Sequence, residues 1–141
     1  MNLSEAANKV IELGRKVREY YDTEMPKYHP NYPLAGPDEE EPPPPPEEKE
    51  LGDFLATLSS ELIYQLILLM YLGRGDCGAD DLGACYETLK DEVGDPEQAV
   101  TWMMWSMPTL ADEVSDGLEE LGKHKIKVDK IPLKKVKVRK R

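Results

Sequence analysis

The stretch from Asp76 to Glu87 carries the spacing most suggestive of chemistry. Asp76 and Glu87 stand at positions 1 and 12 of a calcium-loop frame, with Asp80 at position 5. Such a loop needs six or more oxygen ligands and a glycine at position 6 for its sharp turn. Here Gly78 occupies position 3, where an oxygen belongs, and Asp81 occupies position 6. Three or four oxygens do not hold a hard cation, so no metal is expected. Gly73 and Gly75 are read instead as turn glycines that end a helix, and Asp76, Asp80 and Asp81 as caps for exposed N–H groups. Arg74, between the two glycines, is a candidate interaction residue. Its guanidinium can bond the last carbonyls of the preceding helix or pair with Asp76 or Asp112, and a structural use is favoured over ligand binding.

Catalytic arrangements are absent. His29 falls in a proline-rich segment and His124 in the C-terminal tail, so neither is expected on a rigid scaffold. Cys77 and Cys85 have no histidine nearby and match no zinc spacing; without a secretory leader they are read as free thiols of a cytoplasmic chain. The serines at 59, 60, 106 and 115 sit at helix caps or surfaces, without a nucleophile elbow, and no glycine-rich phosphate loop occurs. The chain is read as a non-enzyme that needs no cofactor.

Binding surfaces have more support. In "VTWMMWSM" (100–107), Trp102 and Trp105 are three apart and share a helix face, with methionines covering much of the rest. Tryptophan and methionine suit both a core and an adaptable interface. Burial in the domain's own core is favoured, because large side chains are scarce elsewhere. The five prolines at 42–46 suit an aromatic groove or a spacer, and the flanking acids favour a spacer. Lys134, Lys135, Lys137, Arg139, Lys140 and Arg141 form a candidate anion-binding tail.

These residues are set within a chain of divided charge. The net charge is −10, yet residues 123–141 hold ten Lys or Arg against Asp129, which leaves −19 on residues 1–122. The tail can bind nucleic acid, fold back on the acidic body or add to a partner as a short strand, which Pro132 disfavours. Folding back is favoured, because tethering raises its effective concentration. The apolar run at 62–72 is far shorter than the roughly 20 residues of a membrane span.

Helical periodicity runs through the apolar residues. Ala6, Val10, Leu13 and Val17 recur on one face of a helix over 4–21, with Ser4 as its cap. Nine prolines between Met25 and Glu50 exclude regular structure there, so 25–50 is read as a spacer without core positions. Phe54, Leu55 and Leu58 belong to a short helix, and Ser59 caps a buried one over 60–72 that Gly73 stops. Asp80 or Asp81 starts the next helix and Gly94 ends it. "DPEQ" (95–98) opens another with an Asp cap and proline at its first position, and Pro108 restarts the chain for a last helix to Gly122. No segment before the tail alternates like a strand. The expected fold is all-α, a small bundle of about five or six helices. Residues 1–24 pack on a core of 51–122, between the spacer and the basic tail 123–141.

"LGRGD" (72–76) after a very apolar helix, and "PTLADEVSDGLEELG" (108–122), resemble the signatures of the bacterial domain-of-unknown-function family numbered 3775. "LSEAANKVIELGRKVRE" is similar to that family's opening. The chain departs from the pattern at Glu113, where the family tends to have an aromatic, and in the spacer and tail. The resemblance implies a small helical bundle and supplies no activity. Function is read as a non-catalytic protein-interaction module. The alternative is weak, sequence-independent nucleic-acid binding through the tail, and an unrecognised enzyme comes third.

Overall fold

The computed structural model describes residues 1–24 and 45–132. Six α-helices account for most of them: α1 (Leu3–Glu19), α2 (Pro46–Ala56), α3 (Ser60–Arg74), α4 (Leu82–Val93), α5 (Pro96–Trp105) and α6 (Met107–Lys123). A π-helical turn, Tyr20–Glu24, extends α1, and a 3-10 turn, Val128–Lys130, follows α6. Among the described residues there is no strand, so the all-α expectation holds.

Local chemistry explains the boundaries. Asn2, rather than Ser4, caps α1: its side chain accepts from the Glu5 N–H while Glu5 bonds back to the Asn2 N–H, a reciprocal capping box. Ser59 accepts from the Leu62 N–H at 3.2 Å to open α3. Asp95 and Gln98 form a second capping box, with Pro96 pre-set for the first helical position of α5. Helix α2 begins within the segment read as spacer. Its first residue is Pro46, and Pro45 before it is buried. A proline at the first helical position loses no hydrogen bond, so the last prolines of the run serve as a helix start. The remainder of the spacer, residues 25–44, lies outside the described residues.

The core is built around α3. Ile63, Gln65 to Met70 and Leu72 are all buried, so this helix has neighbours on nearly every side. Its most extensive packing is against α6, and α1 lies against α6 in turn. Gly73 does not stop α3, contrary to the sequence reading. It lies in the helix at the crossing with α6, where an added Cβ would stand 2.1 Å from the Glu113 carbonyl oxygen. Gly117 faces it from α6, and a Cβ there would be 2.1 Å from the Leu69 carbonyl oxygen. The two glycines let the backbones meet at a distance side chains would forbid. Gly75 is the true cap. With φ of 84° it lets its own N–H bond the Leu72 carbonyl and the Asp76 N–H bond the Tyr71 carbonyl, closing the helix end.

The start of the tail belongs to this bundle. Ile131 is 2% exposed, and Gln65, the one buried polar side chain among the described residues, donates from Nε2 to the Ile131 carbonyl at 2.7 Å. Asp129 accepts from the Ser4 N–H at 3.0 Å, placing a carboxylate at the positive end of α1. Residues 124–132 therefore fold back on the body, held by apolar packing and hydrogen bonds rather than by lysine charge. Lys134, Lys135, Lys137, Arg139, Lys140 and Arg141 lie outside the described residues.

Candidate interaction surface

Arg74, Tyr71 and Trp102 come together at the end of α3. Tyr71 precedes Arg74 by three residues, which puts both on one side of the helix. The second helix after the turn, α5, carries Trp102 across to them. The Tyr71 and Trp102 rings are 5.8 Å apart and tilted, and the Arg74 guanidinium carbon lies 5.7 Å from each ring centre. Arg74 Nε also pairs with Asp76 at 3.1 Å. Of the two partners expected for Arg74 it therefore takes Asp76, while Asp112 contacts Arg18 of α1. This stack ties the "LGRGD" turn to α5.

Beside the stack runs a groove of about 660 Å³. It is lined by Tyr71, Arg74 and Asp76, by Asp81 at the start of α4 and Cys85, Thr88 and Glu92 within it, and by Trp102 of α5. The Tyr71 hydroxyl donates to Glu92 at 2.8 Å. Its pKa is pushed up to about 12, chiefly by burial, then by the hydrogen bond and the charge of Glu92; Arg74 opposes the shift. Burial also raises the Tyr86 pKa, helped by Glu61 and Glu87. Both phenols are held in the neutral form.

Trp105 ends elsewhere. Core burial was the favoured reading of the tryptophan-methionine helix, and it holds for Met103 at 0% and Met107 at 9% exposure. Trp102 is half-buried, but Trp105 is 83% exposed, the most exposed large apolar side chain among the described residues. Helix α5 is only ten residues long; Ala99 and Met103 are its buried positions, Val100, Trp102 and Met104 pack half-buried against the core, and Trp105 at its last position projects from the bundle edge. Spacing places Trp102 and Trp105 near one face; it does not say which part of that face meets a neighbour.

The free-thiol reading is corrected. Cys77 and Cys85 form a disulfide, because the turn after α3 brings Cys77 back to the first turns of α4, with the Cα atoms 6.3 Å apart. The thiol argument for a reducing compartment falls with it. Asp76 is engaged by Arg74, and Glu87 by Lys90 at 3.3 Å. Among the described residues no group of three or more His, Cys, Asp or Glu side chains is arranged to hold a metal ion, and no helix is long and apolar enough to cross a membrane. His124 lies just past α6 against Glu120 at 3.2 Å. At the position where the chain departs from the family pattern, Glu113 accepts from Thr109 through Oε2, while Oε1 is shielded and without a hydrogen-bond partner.

Fold and surface together define a small all-α domain with a groove and an aromatic edge at one end. The chain belongs to the DUF3775 family, described as a protein of unknown function, whose model matches residues 48–123, more than half of its 141 residues. Helix α1 and the segment after α6 lie outside that span, although both pack on it. No curated protein and no solved structure matches the chain.

Proposed function

We propose that the domain is a non-catalytic protein-interaction module, and that the outer face of α5, around Trp105, receives the partner. The carrying observation is the 83% exposure of that indole, when every other large apolar side chain among the described residues except Met1 is buried or partly buried. Tryptophan is enriched among residues that dominate binding energy. Replacing Trp105 by alanine removes little intramolecular contact. Trp105→Ala should therefore leave stability within about 0.5 kcal/mol, as for other surface positions, while a partner that co-purifies stoichiometrically with the unmodified chain is lost. Retention of that partner by the variant would remove α5 from the account.

A second reading, weak nucleic-acid binding through the tail, is favoured by the exposure of Lys123, Lys125, Lys127 and Lys130, which continue the basic run of 134–141 onto the body. A steep fall of affinity with salt would mark it.

A further inference from the structure

The Cys77–Cys85 bond joins the turn after α3 to the first turns of α4, and its two sulfurs differ in access. Cys77 is 7% exposed and packs with the core, whereas Cys85 is half-buried and lines the groove that Arg74 also lines. Thiol–disulfide exchange needs a thiolate to reach one sulfur, so access decides which sulfur is attacked. We infer that this bond is a thiol-exchange site: a dithiol reductant attacks it at Cys85 through the groove, and its opening and closing switch the entry of α4 between a loose and a locked state.

The chemistry balances between the pair and its reductant. A thiolate of the reductant bonds to Cys85 Sγ, the S–S bond breaks, and its electron pair leaves on Cys77 Sγ, which takes up a proton. The reductant's second thiolate then attacks its own sulfur in the mixed disulfide and releases Cys85 as a thiolate, which is protonated in turn. The protein gains two electrons and two protons, and the reductant ends as a disulfide. A monothiol does not complete this sequence readily, because Cys77, its Cα 6.3 Å from that of Cys85, stands within bonding geometry to expel it again. The buried thiol left at Cys77 has acceptors in the folded turn, since the Gly78 and Asp81 carbonyl oxygens lie 3.5 and 4.0 Å from its sulfur. Both redox states are therefore compatible with the fold.

What the bond holds is the N-terminal end of α4. Among the described residues, the side-chain hydrogen bonds from α3 to this helix act at its other end: Tyr71 donates to Glu92 at 2.8 Å, and Tyr64 to the Gly94 carbonyl just past α4, also at 2.8 Å. Asp81, at the start of α4, makes no capping bond through its side chain. Ala79 and Leu82 supply buried apolar contact there, but Asp76, Gly78, Asp80 and Asp81 around them are exposed. With the bond open, that small anchorage is what remains, and segments with few buried contacts open at low free energy. Asp76 of the same turn pairs with Arg74, so loosening the turn also loosens the Tyr71–Arg74–Trp102 stack.

Reduction of the full chain by dithiothreitol without denaturant, followed by mass spectrometry, circular dichroism and hydrogen exchange, tests this. The chain should gain two hydrogens while keeping its helicity, and oxidised dithiothreitol should restore the same intramolecular bond. While reduced, residues 76–86 should lose protection at labelling times when α3 and α6 remain protected. Brief exposure to the monothiol mercaptoethanol, quenched in acid, should give mixed disulfide at Cys85 over Cys77 by roughly fivefold or more, as the difference in access requires. Reduction that proceeds only in urea, loss of helicity on reduction, adduct chiefly at Cys77, links between two copies on reoxidation, or unchanged protection of 76–86 would each overturn the inference. Trp105→Ala alters none of these readouts, so this inference and the partner-face reading fail separately.

Discussion

Replacing Gly73 by alanine opposes two effects of known sign. On helix propensity alone alanine is better by about 1 kcal/mol in a helix interior. At this position, however, the added Cβ stands 2.1 Å from the Glu113 carbonyl oxygen, 2.8 Å from the Gly117 nitrogen and 3.1 Å from the Asp116 Cβ. Two of these atoms are backbone, so no rotamer change relieves the contact, and α3 and α6 must separate until 2.1 Å becomes at least 3.0 Å. Overpacking costs about 1–3 kcal/mol. A radial gap of this size also forfeits a quarter to a half of each dispersion contact across the crossing. The upper end of that range applies, because this is the bundle's most extensive helix pair. Less the propensity gain, Gly73→Ala should destabilise by about 2 kcal/mol, a fall of roughly 10 °C in a domain of this size. Gly117→Ala should act alike, and the double variant should cost less than the sum, since one separation serves both. Gly122→Ala is the control: nothing lies within 4 Å of its added Cβ, and it should gain up to about 1 kcal/mol. Thermal and urea unfolding followed by circular dichroism measure all four. Gly73→Ala melting at or above the unmodified chain, as Gly122→Ala should, would refute the close-crossing argument.

The Cys77–Cys85 disulfide closes a loop of eight residues' separation, for which chain entropy predicts a contribution of about 2.5 kcal/mol. Melting with and without reductant, and in the double serine variant, should show a fall of similar size; identical curves would contradict the pairing. Tyr71 gives a pH dependence of fixed sign. Its phenol ionises near 10 when unfolded but only at about 12 when folded, so its contribution is fully present below pH 10 and is lost as pH rises from 10 to 12. Tyr86 shifts the same way. Tyr71→Phe should make the alkaline loss of stability shallower and remove a late-titrating component from the phenolate absorbance.

Helix identity was legible in this chain wherever a cap and a period coincided. Ser59 before an apolar run, Asp95–Pro96 and Gly94 each act within a few residues, and each was placed correctly. The misreadings share a cause. Gly73 resembles a stop because glycine breaks helices, and its real role depends on Gly117, 44 positions later. Pro46 is indistinguishable by type from the prolines before it; only the helix that follows makes it a first helical residue. Ile131 is buried in the core with its carbonyl bonded to Gln65 across 66 residues, and the pairing of two cysteines depends on how a turn folds back. For the interaction surface, Arg74 and the tryptophans were recognisable by type. Their grouping, with Trp102 in the stack and Trp105 outside it, follows from how a ten-residue helix lies at the bundle edge.

A photo-crosslinking residue at position 101 tests the central claim most directly. Thr101 is exposed and one helical turn from Trp105, so the probe samples that face and leaves the indole in place. Irradiated in the native cell, it should give one dominant protein adduct that is absent when the probe stands at exposed position 119 of α6 and lost when Trp105→Ala is added. Adducts no different between positions 101 and 119, or an adduct that survives Trp105→Ala unchanged, would contradict the assignment of α5 as the face that receives a partner.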